Sequence, residues 1–350
     1  MVLVQYAFRN TKGKEVYKMI ITFLPLFFYG AMRVSCGDYE IYEQYNSWVR
    51  TTSSNITDVI ERMEPGYAYL NKLLPYRWII VISTLLSCYA YGFFITKLVP
   101  QKYRWFSLFL FFIVADVTFY FAFSSIRNSI AISILLIYIS HRLTNYRINS
   151  NIIKELVILT IVTSFASVFH ASAAFFFPLT FLATLDKGFT NIEFAIWLTI
   201  LVLFWIVPVD TIIDTNILVS NDYFSRYEDY VEVKQEAGFM AKIGATAFAI
   251  LCLVNMRKNK NQGIELLMSR VMLFYVYSYM LGSLNMRISY YFIPFAIVYL
   301  TCIYINRDRT IWARVLLYYA IVFLFYASFV AGNFASPVFS PFVIYKISWF

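Results

Sequence analysis

Four polar side chains stand where an apolar chain should not place them. Arg33 follows the apolar run 17–32, Arg127 opens "SSIRNSIAISILL", His170 closes "SFASVFHASAAFFFPL" and Arg287 opens "GSLNMRISYYFIPF". Holding an ionisable group in an apolar phase costs at least ~2.5 kcal/mol, so such residues mark a function or a paired site. The planar guanidinium grips phosphate oxygens through two parallel hydrogen bonds. Several of them in one low-dielectric recess would hold a diphosphate firmly. Taken singly, each arginine also reads as a helix-end residue snorkelling to head groups, and the histidine as a satisfied packing residue. Together, all opening or closing apolar runs beside small residues, they read as one binding site.

The elements that must position these residues are set by composition. The chain has 350 residues, 60% hydrophobic and 14% charged, whereas a soluble domain is nearer half apolar and a quarter charged. That excludes a secreted enzyme, a nucleic-acid-binding domain and a disordered chain. A membrane-crossing helix needs about 20 residues, and apolar runs fall at about 17–32, 78–98, 105–123, 128–140, 152–169, 171–185, 192–209, 239–254, 264–284, 288–305 and 311–331. The expectation is an all-α, polytopic membrane bundle of about eleven transmembrane helices in a single domain, 1–350.

The net charge of +9 then orients the bundle rather than binding nucleic acid. One set of alternate connections carries most of the Lys and Arg, including Lys18 and Arg104, and is the expected cytoplasmic side. The opposite side holds two long connections, at about 34–77 and 210–238, which contain most of the acids. By the positive-inside rule Arg33, Arg127 and Arg287, opening or closing apolar runs on the opposite side, are arginines in the wrong place. Arg270, about one and a half turns into its run, is expected to snorkel to the cytoplasmic surface. Asp116 is the one acid near the middle of a run, where pairing, neutrality and a polar cavity are all open to it. The four cysteines are scattered without metal-ligand spacing, and no phosphate-binding glycine loop is present, so neither a metal nor a cofactor is expected.

The second long connection, "NDYFSRYEDYVEVKQEAG", interleaves acids with Tyr223, Phe224, Tyr227 and Tyr230. Aromatic faces stack on sugar C–H faces and carboxylates accept sugar hydroxyls. The helical spacing of the tyrosines equally suits an amphipathic helix lying on the membrane.

The segments "RVSCGDYEIY", "EPGYAYLNKLL", "SSIRNSIAISILL", "FHASAAFFFPL" and "MRISYYFIPF", in that order, resemble the EpsG family of bacterial exopolysaccharide proteins. That family is similar to the Wzy polymerases of O-antigen and capsule synthesis. The resemblance implies a multi-pass protein of the bacterial cytoplasmic membrane, organised like a GT-C glycosyltransferase. It also implies glycosyl transfer at the outer face, from a glycan on undecaprenyl diphosphate to a sugar hydroxyl of another lipid-linked unit. A chain-length regulator and a flippase are candidate associates, and a flippase for the same lipid-linked oligosaccharide is the alternative activity.

Under that implication Arg33, Arg127 and Arg287 would bind the diphosphate. Tyr39, Tyr223 and Tyr227 would contact substrate, and Asp38 or His170 would be the general base. Gly37 and Asp38 are adjacent here, where the family usually has a residue between them.

Overall fold

The computed structural model describes residues 1–35, 39–51, 63–113, 125–144, 152–176, 189–206, 239–259, 264–278, 285–308, 310–325 and 346–347. These residues are all-α apart from one short antiparallel strand pair. In chain order the helices are α1 (Val2–Phe8), α2 (Glu15–Ala31), α3 (Tyr39–Thr51), α4 (Pro65–Leu73), α5 (Tyr76–Leu98), α6 (Arg104–Ile113), α7 (Ile126–Thr144), α8 (Ile152–Ser167), α9 (Asn191–Ile206), α10 (Phe239–Asn259), α11 (Ile264–Ser278), α12 (Asn285–Ile305) and α13 (Ile311–Phe325). Strand β1 (Arg33–Ser35) pairs with β2 (Lys346–Ile347), Arg33 standing opposite Ile347.

Among the described residues, α5 is the one helix long and apolar enough to cross a membrane. Leu156–Ser167, Asn191–Ile206, Tyr291–Ile305 and Ile311–Val322 are shorter apolar stretches. Its 23 residues, at ~1.5 Å each, exceed the ~30 Å of a hydrocarbon layer. Several helices are apolar outside as well as inside. On α8 the outward positions Ile153, Val157, Ile161 and Phe165 recur every fourth residue, an arrangement that lipid stabilises and water penalises. The apolar run expected over 171–185 begins instead as a 3₁₀ turn, Ala171–Phe176, beyond which it lies outside the described residues.

The chain forms two compact units, Met1–Thr184 with Leu324–Phe350, and Leu185–Phe323. In the first, α5 packs against both α2 and α7, and α8 packs on α7. Small residues permit the close approaches. A Cβ on Gly92 of α5 would lie 2.8 Å from Met19 Cγ of α2. Ser87 of α5 meets Ser129 and Ser133 of α7 at 2.5 and 3.3 Å, the usual solution where lipid provides no hydrophobic drive between helices.

The two ends of this unit differ chemically. At one end Glu15 opens α2 and pairs with Lys18, at 3.3 Å, and with Arg104 at the start of α6. Lys18 Nζ also donates to the Thr11 carbonyl at 2.8 Å and to Gln101 at 3.1 Å. Lys18 and Arg104 are therefore buried in a polar knot. At the other end the C-terminus of α2 meets the N-terminus of α5, where Arg77 Nη1 donates to the Arg33 carbonyl at 2.8 Å.

In the second unit α9, α10, α11 and α12 pack in succession. Arg270 of α11 does not snorkel. It is buried, and its Nε and Nη2 donate to the two oxygens of Glu193 in the first turn of α9, at 2.6 and 2.8 Å. The side chain cannot both extend to solvent and grip the half-buried Glu193 carboxylate, and the two-point pair prevails. The R270A variant is expected to lose about 1–3 kcal/mol of stability through the lost two-point hydrogen bonds to a charged group, and the double variant E193L/R270M less. Thermal unfolding in detergent measures both, and a double variant as unstable as R270A would contradict the pairing.

Candidate functional site

The connection expected as an outer loop over 34–77 contains α3 and α4, folded against the end of the first unit. Pro65 occupies the first turn of α4, where its missing N–H costs nothing. One asparagine then joins three helices. Asn46 Nδ2 of α3 donates to Asn71 Oδ1 at 2.9 Å and to the Leu74 carbonyl at 2.9 Å, and its Oδ1 accepts the Tyr76 N–H of α5 at 3.1 Å. Beneath this lock Tyr39, Tyr42, Tyr67 and Tyr76 form a core with Ile79, Ile80, Ile126 and Ile130. The rings meet edge to face, Tyr39 with Tyr76 at 5.1 Å and Tyr42 with Tyr67 at 5.5 Å.

Against this core lies a buried group of charges. Glu64 precedes α4 at its N-cap yet makes no capping bond. Its carboxylate is turned inward, 3% exposed, and Oε2 accepts from Arg127 Nη1 at 2.5 Å. Arg127, on the first turn of α7, also donates Nε–H to the Tyr42 hydroxyl at 3.0 Å and lies 5.3 Å from the centre of that ring. Glu64 Oε1 stands 3.9 Å from His170 Nδ1 and 3.5 Å from the Ala171 amide nitrogen, in the turn after α8.

A glycine makes that convergence possible. The Gly66 N–H donates to the Val168 carbonyl at 2.9 Å. A Cβ at position 66 would fall 2.8 Å from Val168 Cγ1, 3.0 Å from Val168 O and 3.1 Å from Phe169 Cδ1. Only a residue without a side chain lets the first turn of α4 lie directly on the end of α8.

Burial alone would raise the Glu64 carboxyl pKa. The neighbouring Arg127 charge, then His170, and hydrogen bonds to the carboxylate oppose it and hold the group below its ordinary value of 4.5. Glu64 is therefore ionised at neutral pH. His170 is buried, and its Nδ1 faces both the Ser172 backbone N–H, at 3.3 Å, and the Ser172 hydroxyl, at 2.9 Å. A backbone N–H can only donate, so in the neutral ring Nδ1 is the acceptor and Nε2 carries the proton.

Arg33 lies at the same end of the unit, 2% exposed, and its Nη1 has no hydrogen-bond partner among the described residues. A buried guanidinium nitrogen left unsatisfied is costly and suits an anion.

The expected site residues separate clearly. The structure brings together Arg127 and His170 through Glu64, and sets Arg33 and Tyr39 around the same tyrosine core. Tyr39 is buried, with its hydroxyl 3.4 Å from Glu43. Arg287 lies on the first turn of α12 in the other unit, with its side chain outside the described residues. Asp38, Asp116, Tyr223 and Tyr227 also lie outside them.

Glu64 escaped sequence reasoning because it sits within a polar connection, where a carboxylate is unremarkable. The available signal was "EPG", a carboxylate placed directly before a helix-starting proline and a glycine, in the connection that follows Arg33.

In comparison with known protein families, residues 16–345 match the EpsG family. No curated protein and no solved structure matches the chain.

The sign of the Glu64 shift fixes a pH dependence. A depressed carboxyl pKa contributes stability that is complete above the unfolded value, about 4.3, and is lost as pH falls through the lower folded value. The stability difference between the unaltered protein and E64Q should be present above about pH 4.3 and shrink as pH falls below it. A difference unchanged at about pH 3 would dissociate the stability from this pair. The G66A variant should lose about 1–3 kcal/mol, read as an earlier thermal transition in detergent.

Proposed function

The chain belongs to the EpsG family, and on that premise we propose that it is a polysaccharide polymerase joining oligosaccharide repeat units carried on undecaprenyl diphosphate. Family membership supports a membrane-associated role in polysaccharide biosynthesis. The finer reading is a glycosyl transfer at the outer face of the bacterial cytoplasmic membrane, in a bundle of about eleven spans with a GT-C-like organisation. The observation that carries it is a pair of arginines at one end of the first unit: Arg33, buried and with an Nη1 that has no hydrogen-bond partner among the described residues, and the half-buried Arg127, paired with Glu64.

The chemistry explains why such an end is needed. Transfer breaks the bond between an anomeric carbon and a lipid diphosphate, so negative charge grows on the leaving oxygen. Fixed cations in a water-poor recess stabilise that charge more in the transition state than in the ground state. Arg33 supplies an unsatisfied N–H, and Arg127 a guanidinium at the mouth of the charged group. The Nε2–H of His170 adds a donor. Arg287 belongs to the proposal as a further diphosphate ligand, Asp38 as a base candidate, and Tyr223 and Tyr227 as acceptor contacts.

The antiparallel order of helices in the first unit supports the outer placement. The basic segments 11–18 and 101–104 meet at the Glu15 knot at one end, and Arg33, Arg127 and His170 lie at the other.

Reconstitution tests the proposal. Purified protein in liposomes with an undecaprenyl-diphosphate repeat unit should yield a ladder of longer lipid-linked glycans without added metal or nucleotide. R33A and R127A should each slow elongation by about 10²–10³-fold. Unelongated lipid that nevertheless crosses the bilayer would identify a flippase instead. Elongation at full rate by R33A and R127A would remove the diphosphate role.

A further inference from the structure

We propose that Glu64 is the general base of the transfer, masked by Arg127 until the donor's diphosphate engages that guanidinium. The proposal rests on the polymerase reading and names the group that takes the acceptor's proton.

Geometry disfavours the other nearby candidate. In neutral His170 the lone-pair nitrogen, Nδ1, is already engaged by the N–H and hydroxyl of Ser172. The remaining nitrogen carries a proton, so the ring is suited to donate to an oxyanion rather than to accept from a hydroxyl. Both oxygens of Glu64 are engaged as well, Oε2 by Arg127 and Oε1 by the Ala171 N–H, but an ionised carboxylate carries no proton of its own and offers about four acceptor positions. Its carboxylate touches both the cation expected to hold the leaving group and the turn bearing His170.

The order of exposure gives the device its sequence. In the ion pair the Arg127 side chain is 22% exposed and that of Glu64 4%. An arriving anion therefore meets the guanidinium first, and a diphosphate, with more charge and more acceptor oxygens than a carboxylate, competes for it. Facing Glu64 are Arg127 from α7 and His170 from the turn after α8. Tyr42 of α3 reaches it through Arg127. Once Arg127 turns to phosphate, its charge no longer favours the ionised carboxylate, while burial continues to disfavour it. The carboxylate becomes a stronger base only when the donor is in place. With the site empty, the same pairing keeps Glu64 from activating water.

The step balances with the two reactants alone. The acceptor sugar's hydroxyl gives its proton to Glu64 while an oxygen lone pair forms the new bond to the donor's anomeric carbon. The bond from that carbon to the diphosphate breaks, and its electron pair departs with the lipid diphosphate, whose charge rests on Arg127. When the lipid diphosphate leaves, the proton passes from Glu64 to water and the ion pair re-forms.

The test measures elongation and undecaprenyl-diphosphate binding in the same proteoliposomes for the unaltered protein, E64Q, E64D and H170Q, across pH. E64Q is expected to lose at least about 100-fold in elongation and to bind undecaprenyl diphosphate as tightly or more tightly, because Arg127 no longer has a carboxylate partner. A purely structural role predicts weaker binding. H170Q should be slower but keep the acidic limb of the rate profile, which any residual activity of E64Q should lack. Should E64Q fail to fold, E64D carries the test: kcat should fall at least tenfold with little change in KM. Elongation by E64Q within about threefold of the unaltered protein, E64D at full rate, or an E64Q that loses binding along with elongation would each overturn the base role and leave the polymerase reading standing. Absence of elongation by the unaltered protein would overturn the polymerase reading itself.

Discussion

A carboxylate is stable when buried at the end of a helix bundle only if a cation is delivered to it, and the pairing of Glu64 with the half-buried Arg127 organises this end of the molecule. Arg127 starts α7, so it has no acid on its own first turn. Its partner comes from position 64, in a separate connection. Desolvating both charges costs several kcal/mol each, and only good geometry with further hydrogen bonds recovers it. The surrounding structure supplies both. Pro65 starts α4 directly after the carboxylate, Gly66 lets that start lie on the end of α8, and Asn46 fixes α3, α4 and α5 to one another. Tyr42 then satisfies the guanidinium's Nε–H.

The same solution recurs where no chemistry is proposed. Glu15 gathers Lys18 and Arg104 at the opposite end of the first unit, and Glu193 grips Arg270 in the second. These groups join helix ends and have no need of a ligand. The group around Glu64 differs in two respects. It includes an imidazole whose tautomer is set by its neighbour, and it shares its tyrosine core with Arg33, whose Nη1 lacks a hydrogen bond among the described residues. A structural ion pair is complete in itself. The Arg33 Nη1 has no such complement among the described residues, and a phosphate oxygen is the kind of acceptor it could take.

Much of the helical plan was legible. The apolar runs at 17–32, 78–98, 128–140 and 288–305 correspond to α2, α5, α7 and α12, because continuous apolarity over a helix's length leaves few alternatives. The placement of Arg127 and His170 at helix ends was legible for the same reason. The helices α3 and α4 were not, since their faces are mixed and their burial depends on Asn46 and on tyrosines from three helices. Arg270 was misread as snorkelling because nothing in its own run announces Glu193, 77 residues away.

By itself, then, the sequence determined that the chain is a set of apolar helices with cations of two kinds, and it carried the motifs of its family. Those properties are local: hydropathy is summed over neighbours, and charge sign is a property of the residue. Which cation has a counter-charge is not local. Tertiary structure decided that the buried cations Lys18, Arg104 and Arg270 are spent in ion pairs, that Glu64 joins Arg127 to His170, and that the Arg33 Nη1 has no hydrogen-bond partner among the described residues. The physical reason is that electrostatic energy falls off over a few ångströms in space, and only folding determines which residues come that close.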